Sequence, residues 1–185
     1  MDKTEDAKLV YEKAMAVSSA TADDKYTYYV DIADTYYKNK NYPMALAEYK
    51  KALEIKPKDE YLNIKLGNTY KGMSNLSSAI DYYNKAIEIN PNNPDSYFNS
   101  GLCLAELNNL TAAKEKFSKV IELKSDYAYA YYALGLAYEK ENNMVDAVKN
   151  YEHFIEYTQD KNLKNNIQNK VNKLKKDLPP STDVE

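Results

Sequence analysis

The side chains best suited to covalent chemistry in this chain are one histidine, His153, and one cysteine, Cys103. Nucleophilic catalysis of the Ser-His-Asp or Cys-His kind needs an imidazole beside its nucleophile. The stretch "YEHFIEY" puts Tyr151 and Phe154 on one helical face and turns His153 outward. Cys103, between Leu102 and Leu104, reads as a buried thiol. A lone cysteine makes neither an internal disulfide nor a thiolate metal cluster. Asp23 and Asp24 form an isolated acidic pair that suits a helix start, whereas a hard cation takes several oxygen ligands. The glycines at 67, 72, 101 and 135 form neither a P-loop nor a dinucleotide turn. The residues therefore point to a chain with no catalysis, no metal and no cofactor.

Composition narrows the partners. The 185 residues are 44% hydrophobic, enough for one domain with a substantial core or for several small stacked units. The net charge is −3, and all 25 basic residues are scattered lysines, without one arginine. That removes the preferred bidentate donor to phosphate and guanine and leaves no basic patch, so nucleic acid is not the expected partner. No run approaches the roughly 18 apolar residues of a membrane span, and "MDKTEDAKLV" lacks the layout of a secretory signal. A cytoplasmic location is expected.

Turn-forming clusters such as Asn39-Lys40-Asn41, Ser74-Asn75, Asn90-Pro91-Asn92-Asn93-Pro94, Asn108-Asn109 and Glu141-Asn142-Asn143 cut the chain into helix-length segments. Within them apolar residues recur at helical spacing, for example Leu104, Leu107 and Leu110, and strand-type alternation is absent, so the chain reads as all-α. The segments repeat. Ala45, Ala79, Ala113 and Ala147 are 34 residues apart, each followed four residues on by an aromatic, at Tyr49, Tyr83, Phe117 and Tyr151. Twelve residues before each alanine stands a small residue, at Ala33, Gly67, Gly101 and Gly135. Tyr36, Tyr70, Leu104 and Tyr138 make a further column; Ile32, Leu66 and Leu134 make another, broken by Ser100.

These columns, with "LGNTY" at 66 to 70, Ala79, Tyr83, Ala86 and Pro91 matching best, resemble the tetratricopeptide repeat family. The resemblance runs from Tyr26 to Lys161 and implies helix-turn-helix units stacked into a right-handed superhelical solenoid. The implied units are residues 26–59, 60–93, 94–127 and 128–161. Residues 1–25 read as a partial repeat, with Ala7, Tyr11 and Ala14 in the second-helix spacing. Residues 162–178, with Leu163, Ile167, Val171, Leu174 and Leu178 on one stripe, read as a capping helix, and 179–185 as a disordered tail.

Stacking is physically required, since a helix of this length is marginal alone and one hairpin cannot cover its own apolar faces. The small column at Gly67, Gly101 and Gly135 is expected to face the alanine column at Ala79, Ala113 and Ala147. The aromatic column is expected to fill the gap toward the next unit.

The resemblance also implies a concave groove lined by the first helix of each unit, open to a peptide or helix of another protein. Residues out of phase with the packing columns would face it: Tyr61, Ile64, Lys65 and Asn68, then Phe98, Asn99 and Leu102, then Tyr129, Tyr132 and Ala133. Tyrosine offers apolar area at low entropic cost, and asparagine can meet a peptide backbone as donor and acceptor. Some family members hold a chaperone's C-terminal carboxylate in a clamp of Lys and Asn. The matching positions here, Ile64, Asn68, Asn99, Tyr129 and Ala133, keep both amides and lack all three cations, and the other register, at Val30, Asp34, Lys65, Asp95 and Asn99, fits nowhere. A peptide-binding scaffold is therefore expected, without carboxylate capture. Self-association by end-to-end stacking, or service as the interaction arm of a larger enzyme or envelope lipoprotein, are the alternatives.

Overall fold

The computed structural model describes residues 20–178. Among them are nine α-helices and no strand: α1 (Ala22–Lys38), α2 (Tyr42–Ile55), α3 (Glu60–Gly72), α4 (Leu76–Ile89), α5 (Pro94–Glu106), α6 (Leu110–Leu123), α7 (Ala128–Lys140), α8 (Met144–Tyr157) and α9 (Lys161–Asp177). They form two compact units, one ending at Pro91 and the other starting at Asn92. Residues 1–19 of the expected partial repeat, with Ala7, Tyr11 and Ala14, and the expected tail over 179–185 lie outside the described residues.

Helix α1 starts at Ala22, ahead of the repeat register at Tyr26. Thr21 caps it: the Asp24 backbone N–H donates to Thr21 Oγ1 (3.1 Å), and the Thr21 N–H donates to Asp24 Oδ2 (2.8 Å). This reciprocal box satisfies two donors that a helix N-terminus leaves orphaned. The acidic pair at 23–24 thus belongs to a helix start.

Each hairpin turn is built the same way. Lys40, Ser74, Asn108 and Asn142 all have φ near +60°. After each comes an asparagine whose backbone N–H reaches back to close the preceding helix, from Asn41 to Tyr36, Asn75 to Tyr70, Asn109 to Leu104 and Asn143 to Tyr138. That asparagine then caps the second helix. Asn75, Asn109 and Asn143 accept the backbone N–H of Ser78, Ala112 and Asp146 through Oδ1, while Asn41 makes no such bond.

Asparagine tolerates the left-handed region, but serine and lysine are strained there. Ser74→Gly is therefore expected to raise stability by about 0.5 kcal/mol. About 1–2 kcal/mol of strain is relieved, against about 0.5–1 kcal/mol of added chain entropy. Asn142→Gly should gain less, and thermal melts of the two variants compare them.

In the first unit α1 packs on α2, α2 on α3 and α3 on α4; in the second the same succession runs from α5 to α9. The second helix of every hairpin buries one stripe completely: Ala45, Tyr49 and Ala52; Ala79, Tyr83 and Ala86; Ala113, Phe117 and Val120; Ala147, Tyr151 and Phe154. Helix α9 lays Ile167 and Val171 against Ala147, Val148, Tyr151 and Phe154. Lys161, Lys173, Lys175 and Lys176 stay exposed, the arrangement of an amphipathic closing helix.

The glycine column meets the aromatic column of the second helices. A Cβ on Gly67 would stand 2.6 Å from the Tyr83 ring, one on Gly101 2.6 Å from Phe117, and one on Gly135 2.5 Å from Tyr151. The atoms nearest to these glycines are those of the aromatic ring of their own hairpin. The aromatics lie over the first helix of their own hairpin and also pack toward the next helices, Tyr49 with Leu62 and Leu66, Phe117 with Ala133 and Leu134, and Tyr151 with Ile167 and Val171, as expected. The backward tilt of helical side chains carries a long ring about a turn away from its own Cα.

Candidate peptide-binding site

Because the buried ring of each second helix lies over the first helix of its hairpin, the hydroxyl, where that ring is a tyrosine, meets polar residues of the first helix. In the first unit the Tyr49 hydroxyl donates to Asp34, and the Tyr83 hydroxyl donates to Asn68 Oδ1 at 2.6 Å. Asp34 also takes Lys65 Nζ at 2.8 Å and the Tyr61 hydroxyl at 3.2 Å, with the Lys65 ammonium 5.0 Å from the centre of the Tyr61 ring. Tyr61 is exposed, Ile64 half-buried, and Lys65 tied down by its ion pair. Among the described residues no acceptor takes the Asn68 amide Nδ2–H.

In the second unit Phe98 packs between Phe117 and Tyr127, with ring centres 5.8 and 5.1 Å away. Asn99 donates to the Asp95 carbonyl at 2.9 Å and retains Oδ1 as an acceptor. Tyr129 is 46% exposed, whereas Tyr132 lies half-buried against Tyr151 and Phe154. Ala133, expected on the open face, is only 8% exposed and packs with Ala113, Phe117 and Leu134. A methyl is too short to pass the larger side chains around it.

The polar chemistry is that of fixed, neutralised charge. Burial alone pushes the Asp34 carboxyl up, but bonds from Lys65, Tyr49 and Tyr61 outweigh it and hold the group below the usual carboxylate range. Glu139 is likewise lowered, its desolvation outweighed by Lys170 and the Tyr151 hydroxyl. Burial and the adjacent carboxylates push the Tyr49 and Tyr151 hydroxyls up, so both remain neutral donors. Carboxylates with lowered folded-state pKa contribute stability above their unfolded values, about 3.9 for Asp and 4.3 for Glu. That contribution disappears as pH falls through the folded values. Urea midpoints measured from pH 7 down to pH 3 should therefore drop on acidification, and drop less steeply in Asp34→Asn and Glu139→Gln.

Three features stood outside the expected set. The Asp34–Lys65 and Glu139–Lys170 ion pairs join residues in successive helical pairs, a register that spacing alone does not reveal. The third is a hollow of about 190 Å³ in the second unit, bounded by Leu102, Leu110, Phe117, Ala133, Leu136 and Lys140 among others. A signal for it exists in the sequence. Phe117 breaks a column of tyrosines, and Leu102, fifteen residues before it, breaks the polar pair Asp34 and Asn68.

The residues first considered for catalysis are placed otherwise. Cys103 is fully buried in α5. His153 sits beside the Tyr131 and Tyr157 rings, with Nδ1 3.7 Å from Glu156. Among the described residues no group of three His, Cys, Asp or Glu side chains converges as a metal site, and no helix is long and apolar enough to cross a membrane.

Models described as tetratricopeptide repeat match residues 64–93, 82–115 and 128–161, and one described as TPR repeat matches 33–74 and 101–142. The chain belongs to the tetratricopeptide repeat family. Its members and structural neighbours are generally interaction modules rather than enzymes. Among solved structures, YrrB, described as a TPR protein with an unusual peptide-binding site, is 26% identical with a TM-score of 0.73, over 90% of this chain and 84% of its own. A MamA structure is 25% identical with a TM-score of 0.69, over 83% of this chain and 88% of its own. The first TPR domain of Spaghetti (RPAP3), bound to an HSP90 peptide, is 21% identical with a TM-score of 0.61, over 64% of this chain and 94% of its own. At that identity it speaks for the tetratricopeptide fold alone. Among curated proteins, none matches the chain by sequence.

Proposed function

We propose that this tetratricopeptide repeat protein is a non-catalytic scaffold whose first-helix faces bind a peptide segment of another protein. The faces carry Tyr61, Ile64, Lys65 and Asn68 in one unit and Phe98, Asn99, Leu102, Tyr129, Tyr132 and Ala133 in the other. The observation that carries the proposal is, in each unit taken by itself, exposed apolar area together with an amide: Tyr61 with Asn68 as a donor in one, Tyr129 and Leu136 with Asn99 as an acceptor in the other, either of which can meet a peptide backbone. The peptide-binding site in the description of YrrB supports the same reading, and the absence of arginine favours a protein partner over nucleic acid.

The test is selection of random displayed peptides on the full chain, followed by titration of the selected peptides against Asn68→Ala, Asn99→Ala and Tyr129→Ala. Each is expected to weaken binding by about three- to tenfold, in line with the loss of one hydrogen bond or one partly exposed ring contact. Unchanged affinities in all three variants, with helicity retained, would remove the first-helix faces as the site.

A further inference from the structure

The hollow between Leu102 and Leu136 arises from two coordinated departures from the repeat pattern. In the first two hairpins the buried ring carries a hydroxyl, and the residue fifteen positions earlier is polar and receives it: Tyr49 on Asp34, Tyr83 on Asn68. In the third hairpin the ring is Phe117 and the corresponding residue is Leu102, so neither partner offers a polar atom. In the fourth the ring is Tyr151, but its hydroxyl turns to Glu139, at 2.5 Å. Leu136, at the position that the hydroxyl would have required to be polar, is left apolar and 41% exposed. Hydrocarbon thus lines a place that in the first unit is polar, and Lys140 stands at its edge as its one charge.

That charge is available. The acids on either side of it are engaged elsewhere, Glu139 with Lys170 and Glu141 with Lys114. Among the described residues Lys140 has no carboxylate partner.

Resting on the peptide-binding reading above, the geometry points to a specificity pocket for one large aliphatic or aryl side chain of the bound peptide, Leu, Ile, Met or Phe, with an acidic residue beside it to meet Lys140. The volume of about 190 Å³ accommodates one such side chain. An apolar anchor seated in a dry, preformed hollow is the usual centre of a peptide interface, and a cation at the rim sets preference among sequences more than affinity.

The experiment uses the full chain and peptides selected from the random displayed library. The selected sequences are expected to share a large apolar residue next to Asp or Glu. Replacing that residue by Asn in a synthetic, fluorescein-labelled copy should weaken binding about tenfold or more, the effect of withholding one buried side chain. On the protein side, Leu136→Asp should do the same. So should the double variant Leu102→Asn with Phe117→Tyr, which installs the polar pair of the second hairpin and is chosen because that pair already folds in this chain. Lys140→Gln should cost about threefold and remove the salt dependence of the acidic contact.

Peptides that bind with no apolar consensus, and that lose affinity in Asn68→Ala or Asn99→Ala but not in the pocket variants, would overturn the pocket while leaving the peptide-binding reading standing. Failure to select any peptide would overturn both. A chain that instead dimerises through this surface, with light scattering showing a dimer that Leu136→Asp dissociates, would also overturn the proposal.

Discussion

Phe117→Ala is expected to lower the free energy of unfolding by about 3–5 kcal/mol, the cost of removing a large aromatic from a packed site. Against the roughly 5–15 kcal/mol that holds a typical domain together, this is among the largest losses a single truncation could cause here. The ring is fully buried, lies over the bare backbone at Gly101 and touches the Phe98 ring. Urea titration followed by circular dichroism at 222 nm measures the loss.

The hydroxyl column sharpens this result. Phe117→Tyr keeps the ring but points a hydroxyl at Leu102, where no acceptor waits, and should cost about 1–3 kcal/mol unless it reaches water. Pairing it with Leu102→Asn should recover most of that cost. A double-mutant cycle over these two positions then reads the coupling between ring and partner directly.

Gly135→Ala is the second result, and its expected sign opposes helix propensity. In an unconstrained helix the exchange would gain about 0.5–1 kcal/mol. Here the new methyl would stand 2.5 Å from two atoms of the Tyr151 ring and 3.1 Å from Cγ. Cγ is the base of the ring, so swinging the far edge does not relieve the contact. Overpacking of this kind costs about 1–3 kcal/mol, leaving a net loss of up to about 2.5 kcal/mol against the propensity gain. The ring is also held at its far end by Glu139. Shortening it with Tyr151→Leu should convert Gly135→Ala from harmful to neutral or favourable, which thermal melts of the single and double variants would show. The first hairpin marks the limit of the effect, since Ala33 occupies the same column there, fully buried in one core cluster with Tyr49.

Much of this architecture was legible because it is periodic. Ala45, Ala79, Ala113 and Ala147 recur at one spacing, and a residue that must be small in every hairpin announces both the register and the helix pairing. What it touches is a different matter. The alanine and glycine columns look like mutual partners in sequence, yet the atoms nearest to the glycines belong to rings, because a side chain tilts along its helix and covers a neighbour about a turn away. The same displacement explains Ala133, which is out of phase with the packing columns yet walled in by Phe117 and Leu134. Phe98 and Tyr132 were legible as aromatic and off-phase, but rings long enough to reach a ligand are also long enough to fold back onto Phe117 or Phe154. The Asp34–Lys65 pair joins separate hairpins, and no local pattern links a carboxylate to a long, flexible lysine across that distance in sequence.

The alternation of Tyr49 with Asp34, Tyr83 with Asn68 and Phe117 with Leu102 makes surface chemistry hostage to the interior. In these three hairpins a first-helix residue in this column cannot change polarity alone without stranding a buried hydroxyl or leaving a polar group without its donor; the fourth escapes the constraint because Glu139 takes the Tyr151 hydroxyl beside an apolar Leu136. New binding preferences would arise here through two linked exchanges, each of which is costly until the other occurs. The same constraint offers a route to redesign, in which moving one ring-and-partner pair from hairpin to hairpin relocates an apolar pocket along the chain without disturbing the helices that frame it.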